Sequence, residues 1–127
     1  MDFRRALTMR GVVTVDAERR FLRFQFDQSA MVSDWVQARA VFLRLSEETG
    51  IRRALVDVRT QQAAGPVVEL FDFAHEIPSG MVFAVLSHPH CDDHRFVETV
   101  GLNRGKNVRL FFGSEEKAIE WLMTYAS

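Results

Sequence analysis

The sequence predicts a single α/β domain with a mainly parallel β-sheet, an N-terminal hairpin strand and about four helices. Two β-rich segments open the chain with a short polar stretch between them. Three further apolar segments then alternate with helical patterns, which is typical of β-α-β units. The length of 127 residues suits one domain, 1–127, and no change of composition marks an internal boundary.

Residues 11–15 and 21–26 form the predicted hairpin. In the second segment Leu22, Phe24 and Phe26 alternate with Phe21, Arg23 and Gln25, so one face is consistently apolar. The polar stretch between the two segments is short enough for a hairpin loop.

The first helix is predicted over residues 31–49, where apolar side chains recur every three or four residues. Its buried stripe consists of Trp35, Ala38, Phe42 and Leu45. Arg39 belongs to the polar set expected on the opposite side of this helix. Ser29 or Ser33 is expected to cap its start, and Gly50 is expected to end it in a left-handed conformation.

Three nearly continuous apolar segments, residues 54–58, 81–86 and 108–112, are predicted as the remaining strands. The first two are expected to be buried on both faces. Right-handed crossovers between neighbouring strands would place the helices mostly on one face of the sheet. The apolar side chains of the other face then need cover from a shifted helix or from a second subunit.

The remaining helices are predicted from their start signals. Gly65 ends a loop, and Pro66 is expected in the first position of the second helix. Asp92 or Asp93 opens the third helix, and Ser114 caps the last one. The apolar stripe predicted for the second helix is Val67, Leu70, Phe71, Ala74 and Ile77.

Three segments carry a family resemblance: Leu55-Val-Asp-Val58 before one helix, Met81-Val-Phe-Ala-Val-Leu86 before another, and the ending Leu110-Phe-Phe-Gly-Ser-Glu-Glu-Lys-Ala-Ile-Glu-Trp-Leu122. This pattern resembles the SpoIIAA-like and STAS-like group of bacterial domains across residues 11–122. The ending is similar to the tail of bacterial members of unknown function. The resemblance implies a fold of stacked strand-helix units.

In anti-anti-sigma members of that group, the turn after the central strand carries a serine that a partner kinase phosphorylates. The matching turn here is Gln62-Ala-Ala-Gly65, which has no hydroxyl, and Thr60 lies before the helix start. The resemblance therefore implies a non-enzymatic binding or regulatory module without that phosphorylation switch. It is similar to the uncharacterised branch, sometimes likened to lipid-binding SEC14 domains, and a small apolar or anionic ligand or a protein partner is expected.

The segment His88-Pro-His-Cys-Asp-Asp-His94 concentrates groups that can bind metals. One interpretation is a metal site built from His88, His90, Cys91 and His94, or an enzyme that uses a nucleophilic Cys91 with a lowered pKa. The other interpretation is a loop in which proline ends the strand and the aspartates cap the next helix. The second interpretation expects neither a catalytic residue nor a metal or other cofactor.

The predicted ligand or partner site lies at the carboxyl edge of the sheet, where the loops after two neighbouring strands meet. The first loop contributes Arg59, Thr60, Gln61, Gln62 and Gly65, and the second contributes His88, His90 and Asp92. Both loops lead into helix N-termini, whose amides favour an anionic group.

Charge and composition limit the partners that are expected. The formal net charge is -1, so no general field attracts nucleic acid. No apolar run is long enough for a transmembrane segment or a signal peptide, and the single cysteine suits a reducing cytoplasm. The many large apolar side chains predict self-association as a homodimer.

Overall fold

The computed structural model describes residues 3–8 and 10–125, and it confirms the predicted α/β fold. One six-stranded sheet has the order β1-β2-β3-β4-β5-β6, with the first two pairings antiparallel and the next three parallel. The elements are β1 (Phe3–Thr8), β2 (Gly11–Asp16), β3 (Phe21–Phe26), α1 (Val32–Thr49), β4 (Arg53–Asp57), α2 (Val67–His75), β5 (Val82–Ser87), α3 (Asp92–Asn103), β6 (Asn107–Phe112) and α4 (Glu115–Leu122).

The sheet contains one strand more than the sequence predicts. β2 and β3 form the expected hairpin, but β1 adds a further antiparallel strand at the edge beside β2. The segment Phe3–Thr8 has two adjacent arginines and no alternation of polar and apolar residues, so the pattern of a half-buried strand is missing. Its strand conformation depends on pairing with β2, which sequence periodicity does not report.

The helices divide unequally between the two faces of the sheet. Ala54 and Val56 of β4 face the core formed with α1, α2 and α3, whereas Leu55 faces the opposite core, formed with α4. The crossover helices therefore lie on one face, as expected. Of the two forms of cover considered for the other face, the structure shows a shifted helix, because Ala118 and Leu122 of α4 are fully buried there.

Two helix ends follow the sequence signals. Gly50 has a φ of 76° and donates its backbone N–H to the Ser46 carbonyl, which ends α1 in the left-handed region that glycine adopts readily. Ser114 caps α4, since its hydroxyl accepts a hydrogen bond from the backbone N–H of Lys117 at 3.3 Å.

The other helix starts differ from the predictions. Neither Ser29 nor Ser33 caps α1, which starts after Met31; the Asp34 carboxylate accepts the Met31 N–H at 2.9 Å. Pro66 precedes α2 as its N-cap and is not its first helical residue.

α3 does begin at Asp92, as predicted, but its N-cap is Cys91, so the aspartates lie in its first turn and do not cap it. Val67 and Phe71 were predicted in the buried stripe of α2, but they are exposed. The reason is that α2 touches the rest of the protein along a narrow strip containing Leu70 and Ala74.

The middle of the three-helix face is incompletely covered. The backbone contacts of α1 with the sheet are mainly to β1, and those of α3 are to β6, so these helices approach opposite ends of the sheet. The nine-residue α2 packs against α3 and α1. As a result Val56, Phe83 and Val85, on the central strands, are only half-buried. This gap positions the candidate site.

Candidate functional site

An apolar cavity of about 100 Å³ lies between the sheet and helices α1, α2 and α3. Val56, Phe83 and Val85 form its floor, and these are the central-strand residues that the helices leave half-buried. The cavity is partly open to solvent, so these floor residues leave apolar surface in contact with water, which is unfavourable. The cavity lies over the middle of the sheet because α1 and α3 approach opposite ends of the sheet.

Two donors on the α1 wall of the cavity have no hydrogen-bond partner among the described residues. They are the indole Nε1 of Trp35 and the guanidinium Nη1 of Arg39, both buried. Trp35 is only 7% exposed. Buried donors are almost always paired, so each unpaired donor here requires an explanation.

Arg39 is only loosely held by the protein. Its Nη2 lies 3.5 Å from Oε2 of Glu76, whose side chain is 64% exposed, and this pair is weak because solvent screens it. The guanidinium also lies over the ring of Phe73, with 5.4 Å from Cζ to the ring centroid. Trp35 contacts the same ring, at 5.4 Å between centroids. The two unpaired donors thus flank one aromatic side chain of α2.

The opposite wall belongs to α3 and carries His94 and Glu98. Oε2 of Glu98 accepts a hydrogen bond from the backbone N–H of Leu110 at 2.7 Å. The ring of His94 lies 5.8 Å from that of Trp35, between centroids. Arg39 on α1 and Glu98 on α3 therefore lie on opposite walls, but nearly all of the surface that the walls present to the cavity is apolar.

Behind this wall, His94 belongs to a buried hydrogen-bond network. Nε2 of Gln61 donates to the Ala30 carbonyl at 2.6 Å, which orients the amide so that its Oε1 faces Nε2 of His94 at 2.8 Å. Oε1 can only accept, so Nε2 of His94 carries a proton. Nδ1 of the neutral ring then accepts from the Ser87 hydroxyl at 2.5 Å.

Burial keeps His94 neutral at ordinary pH. Its pKa is lowered from 6.5 to about 4, mainly by desolvation and also by the nearby His88, while Asp93 acts in the opposite direction. His94 is 2% exposed and Ser87 is also 2% exposed. The serine and histidine resemble a nucleophile and base by distance, but neither is open to solvent.

The two predicted loops do meet at the carboxyl edge. Nε2 of His88 lies 2.7 Å from the Gln61 carbonyl, and the Asp93 carboxylate accepts the backbone N–H of Ala64 at 2.7 Å. These bonds join the loop after β4 to the loop after β5 and to the start of α3.

The predicted site residues on these loops have different surroundings. Gln61 was expected to offer donors to a ligand, but it is fully buried and its amide is used within the protein. Arg59 is held by Asp57, with Nη2 at 2.7 Å from Oδ2. Gly65 is half-buried with a φ of 154°. His88 is half-buried, and the exposed members are Arg59, Thr60, Gln62, His90 and Asp92.

The ring of His88 lies 6.1 Å from that of His90 and 6.3 Å from that of His94, between centroids, but the three histidines have different surroundings. His94 points into the core network, whereas His90 is exposed. Among residues 3–8 and 10–125, no group of three or more His, Cys, Asp or Glu side chains could hold a metal ion. Cys91 is fully buried, and desolvation raises the pKa of its thiol, which is opposite to the lowered pKa that a nucleophilic cysteine requires.

The comparisons with known proteins add no relative. No family model, curated protein or solved structure matches the chain. None of the helices in the described part of the chain has the length and apolarity needed to cross a bilayer. The interpretation of the site therefore depends on its own geometry.

Sequence reasoning missed the residues that make the cavity distinctive. Trp35 was predicted in the buried stripe of the first helix, and Arg39 was placed on its polar side. The two are four residues apart, so they lie on the same face of α1, one turn from each other. That spacing could have indicated a charged residue beside the buried stripe, but it does not indicate a cavity. Only the positions of α2 and α3 create one.

Proposed function

We propose that this protein is a non-enzymatic binding and regulatory module of the SpoIIAA/STAS-like type, without the phosphorylatable serine. Its ligand is a small molecule with an apolar body, bound between the sheet and helices α1 to α3. The cavity of about 100 Å³ over the middle of the sheet carries this proposal. Sites of this kind are concave and mainly apolar, with a small number of polar groups that orient the ligand.

The packing of the cavity floor supports ligand binding. Val56, Phe83 and Val85 occupy the centre of the sheet, where side chains are normally the most buried, yet they are only half-buried. A ligand with an apolar body would remove their exposed surface from water, and burial of apolar surface is the main favourable term in such binding.

The state of the reactive side chains favours a binding function over catalysis. Ser87 and His94 are inaccessible, and the amide of Gln61 is committed to hydrogen bonds on both sides. The Cys91 thiol is buried and has a raised pKa. A second function based on the loop 88–94 has no observation in its favour.

A regulatory function is supported by the connection between the cavity and the loops. His94 contacts Trp35 in the cavity wall and also holds Gln61, whose carbonyl lies beside His88. A ligand that shifts Trp35 or His94 would therefore disturb the hydrogen bonds that join the two loops. We propose that a protein partner binds the exposed residues of the carboxyl edge, and that its affinity changes when these hydrogen bonds are disturbed. These residues include Thr60, Gln62, His90 and Asp92.

The test is titration of the protein with n-butanol, n-hexanol and phenol, followed by amide NMR. Shifts are expected around the cavity floor. Ala38→Leu should abolish them, because Ala38 lines the cavity and the larger side chain fills part of it. Ala40→Leu makes the same chemical change at an exposed position of α1 and should leave binding intact. If no compound shifts the floor amides of the unmodified protein, the proposed function is wrong.

Self-association as a homodimer and location in the cytoplasm are also proposed. The second face of the sheet does not need a dimer partner to cover it, because α4 packs there. The present support is the exposure of Val67, Val68 and Phe71 on α2, at 61%, 67% and 40%. The single cysteine supports a reducing compartment. Nucleic acid is not a proposed partner, since the net charge is -1.

A further inference from the structure

We propose that the cavity binds only the hydrocarbon part of its ligand, an alkyl group or an aromatic ring, and forms no hydrogen bond with it. This inference rests on the proposed function and adds the chemical class of the group that is recognised. A polar group of the ligand then lies at the end that faces the open side of the cavity.

Nearly all of the surface that the walls present to the cavity is apolar. Among the described residues that line it, four have polar side-chain atoms: Trp35, Arg39, His94 and Glu98. Binding sites for small molecules usually carry a few polar groups aimed at the ligand, and these groups fix its orientation. The same four side chains therefore decide whether a ligand finds a hydrogen-bond partner here.

The polar side chains on the α3 wall are already engaged within the protein. Nε2 of His94 lies 2.8 Å from Oε1 of Gln61, and its Nδ1 is hydrogen-bonded to the Ser87 hydroxyl. Oε2 of Glu98 accepts a hydrogen bond from the backbone N–H of Leu110 at 2.7 Å. Because both ring nitrogens of His94 are used, the ring offers only its carbon atoms to a ligand.

The polar atoms on the α1 wall are covered, although two of them lack hydrogen bonds. Nε1 of Trp35 and Nη1 of Arg39 have essentially no exposed surface, so neither contacts a molecule in the cavity. Phe73 packs over the guanidinium of Arg39, with 5.4 Å from Cζ to the ring centroid, and cation–π attraction partly offsets the missing partner. Nη2 of the same group lies 3.5 Å from Oε2 of Glu76, which is not part of the lining. The charge of Arg39 is therefore directed to Phe73 and Glu76 and not to the ligand.

A polar group that entered the cavity would lose its hydrogen bonds with water and gain none from the walls. Such burial lowers affinity, whereas a hydrocarbon group gains by leaving water. Because the cavity is partly open to solvent, one end of a bound molecule stays in water. A ligand with a polar group at one end is therefore accepted, and a rigid ligand with polar groups at both ends is rejected.

The experiment compares p-xylene, p-cresol and hydroquinone in oxygen-free buffer. These rings have nearly the same shape and carry no hydroxyl, one hydroxyl and two hydroxyls at opposite ends. Binding is followed by the amide NMR shifts of the floor residues Val56, Phe83 and Val85. We expect p-cresol to bind within about threefold of p-xylene, because its hydroxyl stays in water, and hydroquinone to bind at least about tenfold more weakly than p-cresol.

Two pairs of variants test the walls. Val85→Thr replaces a methyl group of the floor by a hydroxyl and should weaken p-xylene binding about threefold or more, whereas Val36→Thr makes the same change at an exposed position of α1 and should leave it unchanged. Arg39→Met removes the charge while keeping an unbranched side chain, and Arg44→Met does so at an exposed position of α1. Neither should alter the ratio of the p-cresol and hydroquinone affinities.

If hydroquinone binds as tightly as p-cresol, or if Arg39→Met weakens only the molecules that carry a hydroxyl, a wall group does bond the ligand. The hydrocarbon inference is then wrong, and the binding site of the proposed function stands. Equal effects of Val85→Thr and Val36→Thr on p-xylene would also overturn the inference. If none of the three molecules shifts the floor amides, both proposals are wrong.

Discussion

Protonation of His94 is expected to destabilise the fold between about pH 6.5 and pH 4. The folded protein holds this ring neutral because protonation would place a charge in the core, and burial lowers its pKa from 6.5 to about 4. Protonation would also convert Nδ1 into a donor, so the Ser87 hydroxyl would have to turn and accept this hydrogen bond in place of donating it.

The direction and the size of this change in stability follow from the difference in bound protons between the folded and unfolded protein. The unfolded chain binds a proton at His94 near pH 6.5 and the folded protein does so only near pH 4, so stability is constant above this window and falls as the pH drops through it. The full difference amounts to about 3 kcal/mol, of which about 2 kcal/mol is lost by pH 5.

The carboxylate groups with lowered pKa values change the stability of the fold only at a lower pH than His94 does. Asp16 and Glu115 have lowered pKa values in the folded protein because of hydrogen bonds from Arg19 and Arg23, although burial opposes both shifts. Their contribution to stability is present above the pKa of the unfolded chain, near 4, and is lost below it. The loss between pH 6.5 and pH 5 therefore reports mainly on His94.

The assay is urea unfolding monitored by tryptophan fluorescence from pH 7.5 to pH 4.5. His94→Gln should lower stability at neutral pH, because the network around Ser87 is disrupted, but should flatten the slope between pH 6.5 and pH 5. His75→Gln changes an exposed histidine of α2 and should keep the slope of the unmodified protein. An equal slope in His94→Gln, or no slope in the unmodified protein, would refute the reasoning.

Two further predictions concern the cysteine and the exposed face of α2. Cys91→Ser should cost about 1–2 kcal/mol, since it places a hydroxyl in a fully buried site, whereas the exposed His90→Ala should change stability by less than about 0.5 kcal/mol. Stoichiometric zinc in protein purified without a histidine tag, lost in either variant, would contradict this. For the homodimer, sedimentation at micromolar concentration should show a dimer that Val68→Glu dissociates and that the exposed Val36→Glu on α1 leaves intact. A monomer before any substitution would contradict it.

The local pattern of the sequence determined most of the fold. Alternation predicted β3, the three-to-four-residue period predicted α1, and Gly50 and Ser114 marked two helix ends correctly. These signals succeed because they depend on neighbours within the same element, where backbone conformation and side-chain direction are set over a few residues. β1 was missed because its partner is β2, and its own residues lack the period of a strand.

The tertiary structure alone decided what the candidate site is. The sequence indicated that the loops after β4 and β5 meet, and His88 does lie beside Gln61. It could not show that Gln61 is buried, since that depends on Ala30 and His94, each about thirty residues away along the chain. Nor could it show the cavity beside Arg39, because a void exists only where separate elements fail to meet. The splaying of α1 and α3 on the sheet is a property of packing, and no local pattern of residues records it.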